Sequence, residues 1–549
     1  MNRINFLSLG FVALFFASCQ NQPQEEEVAD RPNILFAIMD DVTYLHMGAY
    51  GCDWVNTPNF DRIAKEGILF MNAYTPNAKC APSRANILTG RNSWQLEEAA
   101  NHWPQFPVKF KSFAESLDEN GYHVGYTGKG WAPGKAANED GSPRDLLVNK
   151  YGEFTLDPPT TGIANTDYAE NFKAFLSDNS TDDPFFFWFG SWEPHRGYEY
   201  GSGIRVGVKS LEQIANDQVF EFWPKVDSVK TDLLDYAYEI EHFDLQLGKM
   251  LDHLDSIGEL ENTLIVVTAD NGMPFPRVKG QEYEYSNHLP LAMRWPKGIS
   301  GENRKVEDYV SFIDFAPTFL ELAGVKEADS GMDSITGLSL TDILFSKNSG
   351  VINSSRDQVL IGKERHDVGR PDDQGYPIRG LVKNGMLYLY NFEPERWPAG
   401  NPETGYLNTD GGATKTVVLN SIYKPETFQL WEWNFGKRPQ EELYNIPEDP
   451  NCLVNLAEDS SFEVLKNEMK TELLEKLKAQ GDPRALGNGD IFDRYPYVDP
   501  KSVDFYNRYM KGEDVSFGWV NASDFQDVSK IPSYQQMLKE NRDQEIIKK

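Results

Sequence analysis

Two short acidic runs in this sequence, Asp40-Asp41 and Asp270-Asn271, offer four oxygen-bearing side chains and no imidazole or thiol. Hard oxygen donors of that kind select calcium or magnesium over zinc, although either run alone also reads as a turn or a cap. A third segment, Cys80-Ala81-Pro82-Ser83-Arg84, opens with a thiol. Pro82 suits the first turn of a helix continued by Ala85-Asn86-Ile87-Leu88. That reading sets Cys80 at a helix N-terminus, where the backbone dipole favours an anion. By itself the pattern also describes a small buried cysteine beside a helix cap.

The elements that must deliver these groups are legible on either side of them. Asn33 to Met39 is a nearly continuous apolar run that stops at Asp40-Asp41, and Leu264 to Ala269 stops in the same way at Asp270-Asn271-Gly272. Runs without alternation fit strands buried on both faces of a parallel sheet. Before the second run, Ile240, Phe243, Leu247, Leu251 and Leu254 recur at steps of three and four, which predicts a helix closed by Gly258. Helix followed by strand is half of a βαβ unit, so the fold class is α/β. Further strands are expected at His123 to Thr127 and at Pro184 to Phe189, the latter leading into Ser191-Trp192-Glu193-Pro194-His195. Ligands of open parallel sheets sit beyond the carboxyl ends of the strands, so four remote segments are expected to converge on one site. A polar, Gly- and Pro-containing stretch from Ser354 to Tyr376 suggests a boundary. After it, Ile378 to Tyr390 and Phe428 to Trp433 read as strands of a smaller antiparallel unit, and Phe462 to Leu477 as an amphipathic helix. The expected organisation is a larger α/β domain over 31–375, a smaller α+β domain over 376–498 and a polar, aromatic extension over 499–549.

Composition removes other classes. With 549 residues, 40% of them hydrophobic and 13% aromatic, the chain is neither disordered nor fibrous. A net charge of −31 argues against general nucleic-acid binding, and an anionic substrate would need a local basic pocket. Residues 1–19 have the layout of an export signal: Arg3, an apolar run from Phe6 to Phe16, then Ala17 and Ser18 before Cys19. This end resembles the lipobox of bacterial lipoproteins, in which the cysteine is acylated. That implies a lipid anchor on Cys19, a flexible tether over 20–30, and a lipoprotein of the periplasm or outer membrane of a Gram-negative bacterium. Only Cys52, Cys80 and Cys452 remain, which is no disulfide framework.

Cys80-x-Pro82-Ser83-Arg84 followed by Ala85-Asn86-Ile87-Leu88-Thr89-Gly90 resembles the signature of the type I, formylglycine-dependent sulfatases. The likeness continues in Arg31-Pro32-Asn33 through Asp40-Asp41, in Thr57-Pro58-Asn59-Phe60-Asp61, in Asp270-Asn271-Gly272, in Phe312 to Thr318 and in Glu442 to Ala457. It therefore spans most of the chain from Arg31 to about Leu477, in order. It implies an alkaline-phosphatase-like fold, a large mixed, mostly parallel sheet between helices with a smaller C-terminal domain of antiparallel sheet plus helix.

For the site, the resemblance implies that a formylglycine-generating or anaerobic sulfatase-maturating enzyme oxidises Cys80 to formylglycine. One Ca2+ would be held by Asp40, Asp41, Asp270, Asn271 and the modified residue 80. A hydroxyl of the hydrated aldehyde attacks sulfur, and the second hydroxyl later expels sulfate. Arg84 stabilises the alkoxide, Lys129 and Lys279 grip the sulfate, and His195 matches the family's general acid. Two positions depart from many relatives: Trp131 and Trp94 stand where histidines are common. A proton-handling group is then missing or supplied from elsewhere, with His102 the candidate; Arg196, in Glu193-Pro194-His195-Arg196, is a candidate substrate contact. That segment and Asp270 to Pro276 resemble the sulfamidase, or heparan N-sulfatase, branch. The implied substrate is a sulfated glycan, carrying O-sulfate on an algal polysaccharide such as ulvan or N- or O-sulfate on a heparan-like chain. Two other readings remain: a phosphodiesterase or phosphonate hydrolase of the alkaline phosphatase superfamily, and a glycan-binding lipoprotein without turnover.

Overall fold

The structure, a computed structural model, describes residues 31–179 and 183–531. The expected signal segment with Cys19, the tether and the chain beyond residue 531 lie outside them. No helix among the described residues is long and apolar enough to cross a membrane.

Seven strands form the main sheet: β1 (Asn33–Met39), β2 (Ile68–Tyr74), β3 (His123–Gly128), β4 (Phe185–Gly190), β5 (Thr263–Ala269), β6 (Leu291–Arg294) and β7 (Arg304–Ser311). Their order is β3-β4-β1-β5-β6-β2-β7. All pairings are parallel except the two made by β6, so the sheet is mixed but mostly parallel. Every residue of β1 is buried. Leu35, Ala37 and Met39 face one core layer, shared with the long helix Asp227–Ser256, while Ile34, Phe36 and Ile38 face the other, shared with the helices Cys80–Thr89 and Phe315–Leu322. Burial on both faces explains the unbroken apolar run. The helix expected around Ile240 to Leu254 starts earlier, at Asp227, because Val229, Leu233, Leu234 and Tyr236 are buried too.

A second sheet, β8 (Gln358–Lys363), β9 (Ile378–Lys383), β10 (Met386–Asn391) and β11 (Glu441–Asn445), is antiparallel throughout, in the order β11-β10-β9-β8. Its first strand falls inside the polar stretch read as a boundary. The helix Glu463–Ala479 covers one face through Met469, Leu473 and Leu477. One expectation fails here: Phe428 to Trp433, read as a strand, belongs to a helix, Phe428–Phe435. Aromatic content suggested β structure, but Phe428, Trp431 and Phe435 recur at steps of three and four and are buried, together with Asn434, which is a helical stripe.

The register of the main sheet sets up the site. Met39 lies opposite Ala269, Ile38 opposite Gly190, and Gly190 opposite Gly128, so Asp40, Asp270, Ser191 and Lys129 leave the sheet side by side. Two glycines make the approach possible. A Cβ on Gly190 would stand 1.9 Å from the Lys129 carbonyl oxygen, and one on Gly128, at φ +72°, 2.0 Å from the Gly190 carbonyl oxygen.

Candidate active site

Cys80 is the first residue of a ten-residue helix buried along its whole length. Its Sγ lies 3.5 Å from Asp40 Oδ1 and 4.0 Å from Asp41 Oδ1. Burial pushes the thiol well above its ordinary pKa, against the pull of Lys129 and Lys279. The reading of Cys80 as a cysteine merely packed beside a cap does not account for the two carboxylates and two ammoniums around it.

Asp40 and Asp41 diverge because Asp41 takes a left-handed conformation (φ 80°), which aspartate tolerates better than most residues. The Asp41 backbone N–H donates to Asp270 Oδ1 at 3.0 Å, tying the ends of β1 and β5 together. Arg84 reinforces this junction. Its Nε donates to Asp270 Oδ2 at 2.8 Å and its Nη1 to the carbonyls of Lys129 and Gly130 at 2.9 and 3.0 Å, while Nη2 has no hydrogen-bond partner among the described residues and stands 3.9 Å from Asp40 Oδ1.

Both lysines point inward. Lys129 Nζ donates to Asp40 Oδ2 at 2.5 Å, and Lys279 Nζ to Asp41 Oδ2 at 2.6 Å and Asp410 Oδ2 at 2.9 Å. Burial alone would raise the pKa of Asp40, but Lys129, with help from His195 and Arg84, holds it below the usual carboxylate range. His195 is half-buried; its Nδ1 contacts the Arg196 carbonyl at 2.5 Å and its Nε2 stands 4.0 Å from Asp41 Oδ2.

The donor set fits a hard divalent cation. Ligand atoms of Asp40, Asp41 and Cys80 lie within 4.8 Å of one another, and two carboxylates already draw an ammonium each. Asn271 gives its Nδ2 to Asp41 Oδ1 at 2.6 Å, leaving Oδ1 buried and unpartnered among the described residues. A buried amide oxygen with no protein partner, beside clustered carboxylates, is a donor that could serve a hard cation.

Cys80, Lys129, His195 and Lys279 open on a cavity of about 340 Å³. His102 lines it too. Its Nδ1 bonds Asp367 Oδ1 at 2.9 Å, its Nε2 has no partner among the described residues, and burial brings it down to about 4, with Asp367 pulling the other way. Of the two tryptophans at the departures, Trp131 donates from Nε1 to the Ala81 carbonyl at 3.0 Å, next to Cys80. Trp94 is remote from the cavity, packed against the second sheet with its Nε1 on Gln480 at 2.8 Å.

Arg196 does not reach the cavity at Cys80. Its guanidinium closes on Asp232 with two contacts of 2.8 Å and on the Pro274 carbonyl at 2.8 Å, because a buried aspartate on the long helix demands a cation. It lines a neighbouring cavity instead of the one at Cys80. Sequence reasoning missed Lys79, Asp367 and Asp410, and the aromatic walls Trp103, Trp192 and Trp519. Asp410, in Asn408-Thr409-Asp410-Gly411-Gly412, looks like any turn aspartate.

A family model described as Sulfatase matches residues 32–325, more than half of the chain. The chain belongs to the sulfatase family. Sulfatases are sulfuric ester hydrolases, and this protein is such an enzyme. Among its relatives, an ulvan-active sulfatase of Formosa agariphila is 25% identical over 540 residues, covering 90% of this chain and 84% of the relative. A Bacteroides thetaiotaomicron N-acetylglucosamine-6-O-sulfatase is 29% identical over 428 residues (62% and 75% of the two chains), and the human N-sulphoglucosamine sulphohydrolase 26% over 470 (80% and 89%). Solved sulfatase structures share the fold: one from Bacteroides fragilis superposes with a TM-score of 0.59 at 17% identity, covering 85% of this sulfatase and 99% of that chain.

Proposed function

We propose that this sulfatase removes sulfate from a sulfated polysaccharide or oligosaccharide, with Cys80 matured to formylglycine and one calcium ion held by Asp40, Asp41, Asp270 and Asn271. The observation that carries the reading is the Cys80 Sγ, 3.5 and 4.0 Å from two carboxylates at the head of a buried helix, in a cavity edged by Lys129 and Lys279. A hydrated aldehyde at position 80 would supply the nucleophilic hydroxyl and the cation would polarise a sulfate oxygen.

The chain's own residues do the rest. Lys129 and Lys279, both buried, hold the sulfate oxygens and neutralise charge on the transferring group. Arg84 Nη2, without a hydrogen-bond partner among the described residues and 3.9 Å from Asp40 Oδ1, is the donor that would stabilise the alkoxide at residue 80. The Arg196 carbonyl can only accept, so His195 Nδ1–H donates to it and Nε2 is the nitrogen left to serve the departing oxygen as general acid. Cys80 is only 2% exposed, which favours maturation by a separate enzyme on the chain before it folds.

A glycan is supported by the aromatic walls of the cavity, since Trp103 and Trp192 suit the C–H faces of a sugar ring, and by relatives named for ulvan, N-acetylglucosamine and N-sulphoglucosamine substrates. The lipobox-like N-terminus supports export and anchoring through Cys19, in keeping with a polymeric substrate met outside the cytoplasm. The test is sulfate release by the matured enzyme from a panel of sulfated oligosaccharides of ulvan and heparan type, with aryl phosphate as control. Release from a glycan with negligible phosphate turnover is expected; preferential phosphate hydrolysis would overturn the reading.

A further inference from the structure

The extension after Asp499 reaches the active site. Trp519 lines the cavity at Cys80 and also the neighbouring one, about 460 Å³, and so does Asp410, so the two cavities share a wall. The far cavity is walled by Tyr198, Tyr200 and Asn521 around a Gly411-Gly412 pair. Those glycines are needed for the walls to close: a Cβ on Gly412 would stand 2.3 Å from Arg196 Nη1, and one on Gly411 3.0 Å from Asn521 Nδ2.

Trp519 is held at this wall. Its Nε1 donates to the Leu407 carbonyl at 3.0 Å, and its own carbonyl accepts from the Gly411 N–H at 2.6 Å. Farther along, buried Asp524 pairs with Lys415 at 3.1 Å, and Gln526 Oε1 accepts from the Tyr406 hydroxyl at 2.6 Å. The extension is thus fastened to the loop that carries Asp410, and the half-buried indole keeps surface open to both cavities. Each cavity lies toward the small end of ligand-site volumes, enough for a sugar unit and too small for a chain.

Resting on the glycan reading above, we propose that the second cavity is a subsite for the sugar adjoining the sulfated one, and that Trp519 is a specificity-determining residue that packs against the saccharide between them. An aromatic ring offers a flat apolar face to pyranose C–H groups, while Tyr200 and Asn521 offer hydroxyl partners. Selectivity would then depend on chain length as well as on the sulfated ring.

The test compares kcat and KM of matured wild type, Trp519→Ala, Trp519→Phe and Tyr200→Ala on 4-nitrophenyl sulfate and on a sulfated tetrasaccharide that wild type desulfates. The preference for tetrasaccharide over aryl sulfate should fall about tenfold in Trp519→Ala, mainly through KM. Trp519→Phe should recover most of it, and Tyr200→Ala should lower it as well. Parallel losses on both substrates, or an unmoved preference, would overturn the subsite and leave the glycan reading standing. A wild type that cleaves aryl sulfate and no oligosaccharide would overturn the glycan reading itself, and the subsite with it.

Discussion

Replacing His102 by glutamine separates proton handling from scaffolding. At neutral pH the imidazole, brought down to about 4 by burial, is uncharged. Nδ1–H therefore donates to Asp367, and Nε2, buried and without a partner among the described residues, is left as a lone pair at the cavity wall. Such a nitrogen can accept a proton but has none to give, the opposite of the role proposed for His195. A glutamine can keep a contact with Asp367 while offering no basic nitrogen. Loss of a positioned base costs about 100-fold in kcat. On the acid side, wild-type kcat/KM should fall as Nε2 is protonated near pH 4, and the variant should lose that limb. Linkage adds an independent readout. The folded-state value lies below the unfolded value of 6.5, so the unfolded chain binds the proton first as pH falls. Stability from the neutral imidazole is complete above pH 6.5 and is lost toward pH 4, with an upper bound of about 3 kcal/mol. Denaturant midpoints of the variant should vary less with pH over that window. Full turnover by His102→Gln with the acid limb intact would refute the reasoning.

Three further outcomes follow from named contacts. Lys279→Ala should lower kcat/KM by about 100- to 1000-fold, because it removes the proposed sulfate grip and strands Asp410 and Asp41 without their buried ammonium; steady-state kinetics check this. Calcium at about a hundred times its dissociation constant should stabilise wild type by about 2.7 kcal/mol, and Asp270→Asn should abolish most of that gain, read as the shift in melting temperature with and without chelator. Arg379→Ala, remote from the cavity, should cost about 3–5 kcal/mol in denaturant unfolding, since it breaks a buried network in which the guanidinium bonds Asp482 at 2.8 and 3.0 Å and Glu364 at 2.7 Å.

The strand ends were legible because the physics there is local. An apolar run buried on both faces that stops at acidic residues announces both a parallel strand and what it delivers, and β1 and β5 do so in register. The start of the Asp227–Ser256 helix was hidden by Thr231, Asp232 and Asp235, polar residues that are nonetheless buried. Asp232 also accounts for Arg196: only the fold brings a carboxylate from the long helix under that guanidinium. The Phe428–Phe435 helix was misread since aromatic content and helical spacing compete over eight residues. Asp367, Asp410 and Trp519 carry no local mark of function. They arrive on segments whose partners lie far off in sequence, as in the bond from the Trp519 indole to Leu407.

The most direct test of the account is the mass of the peptide that contains residue 80, taken from enzyme produced with a maturating partner and assayed for sulfate release in the same preparation. The account predicts that the aldehyde is present and that its fraction tracks specific activity, with Cys80→Ala inactive. Full activity in a preparation whose residue 80 is entirely thiol would contradict it.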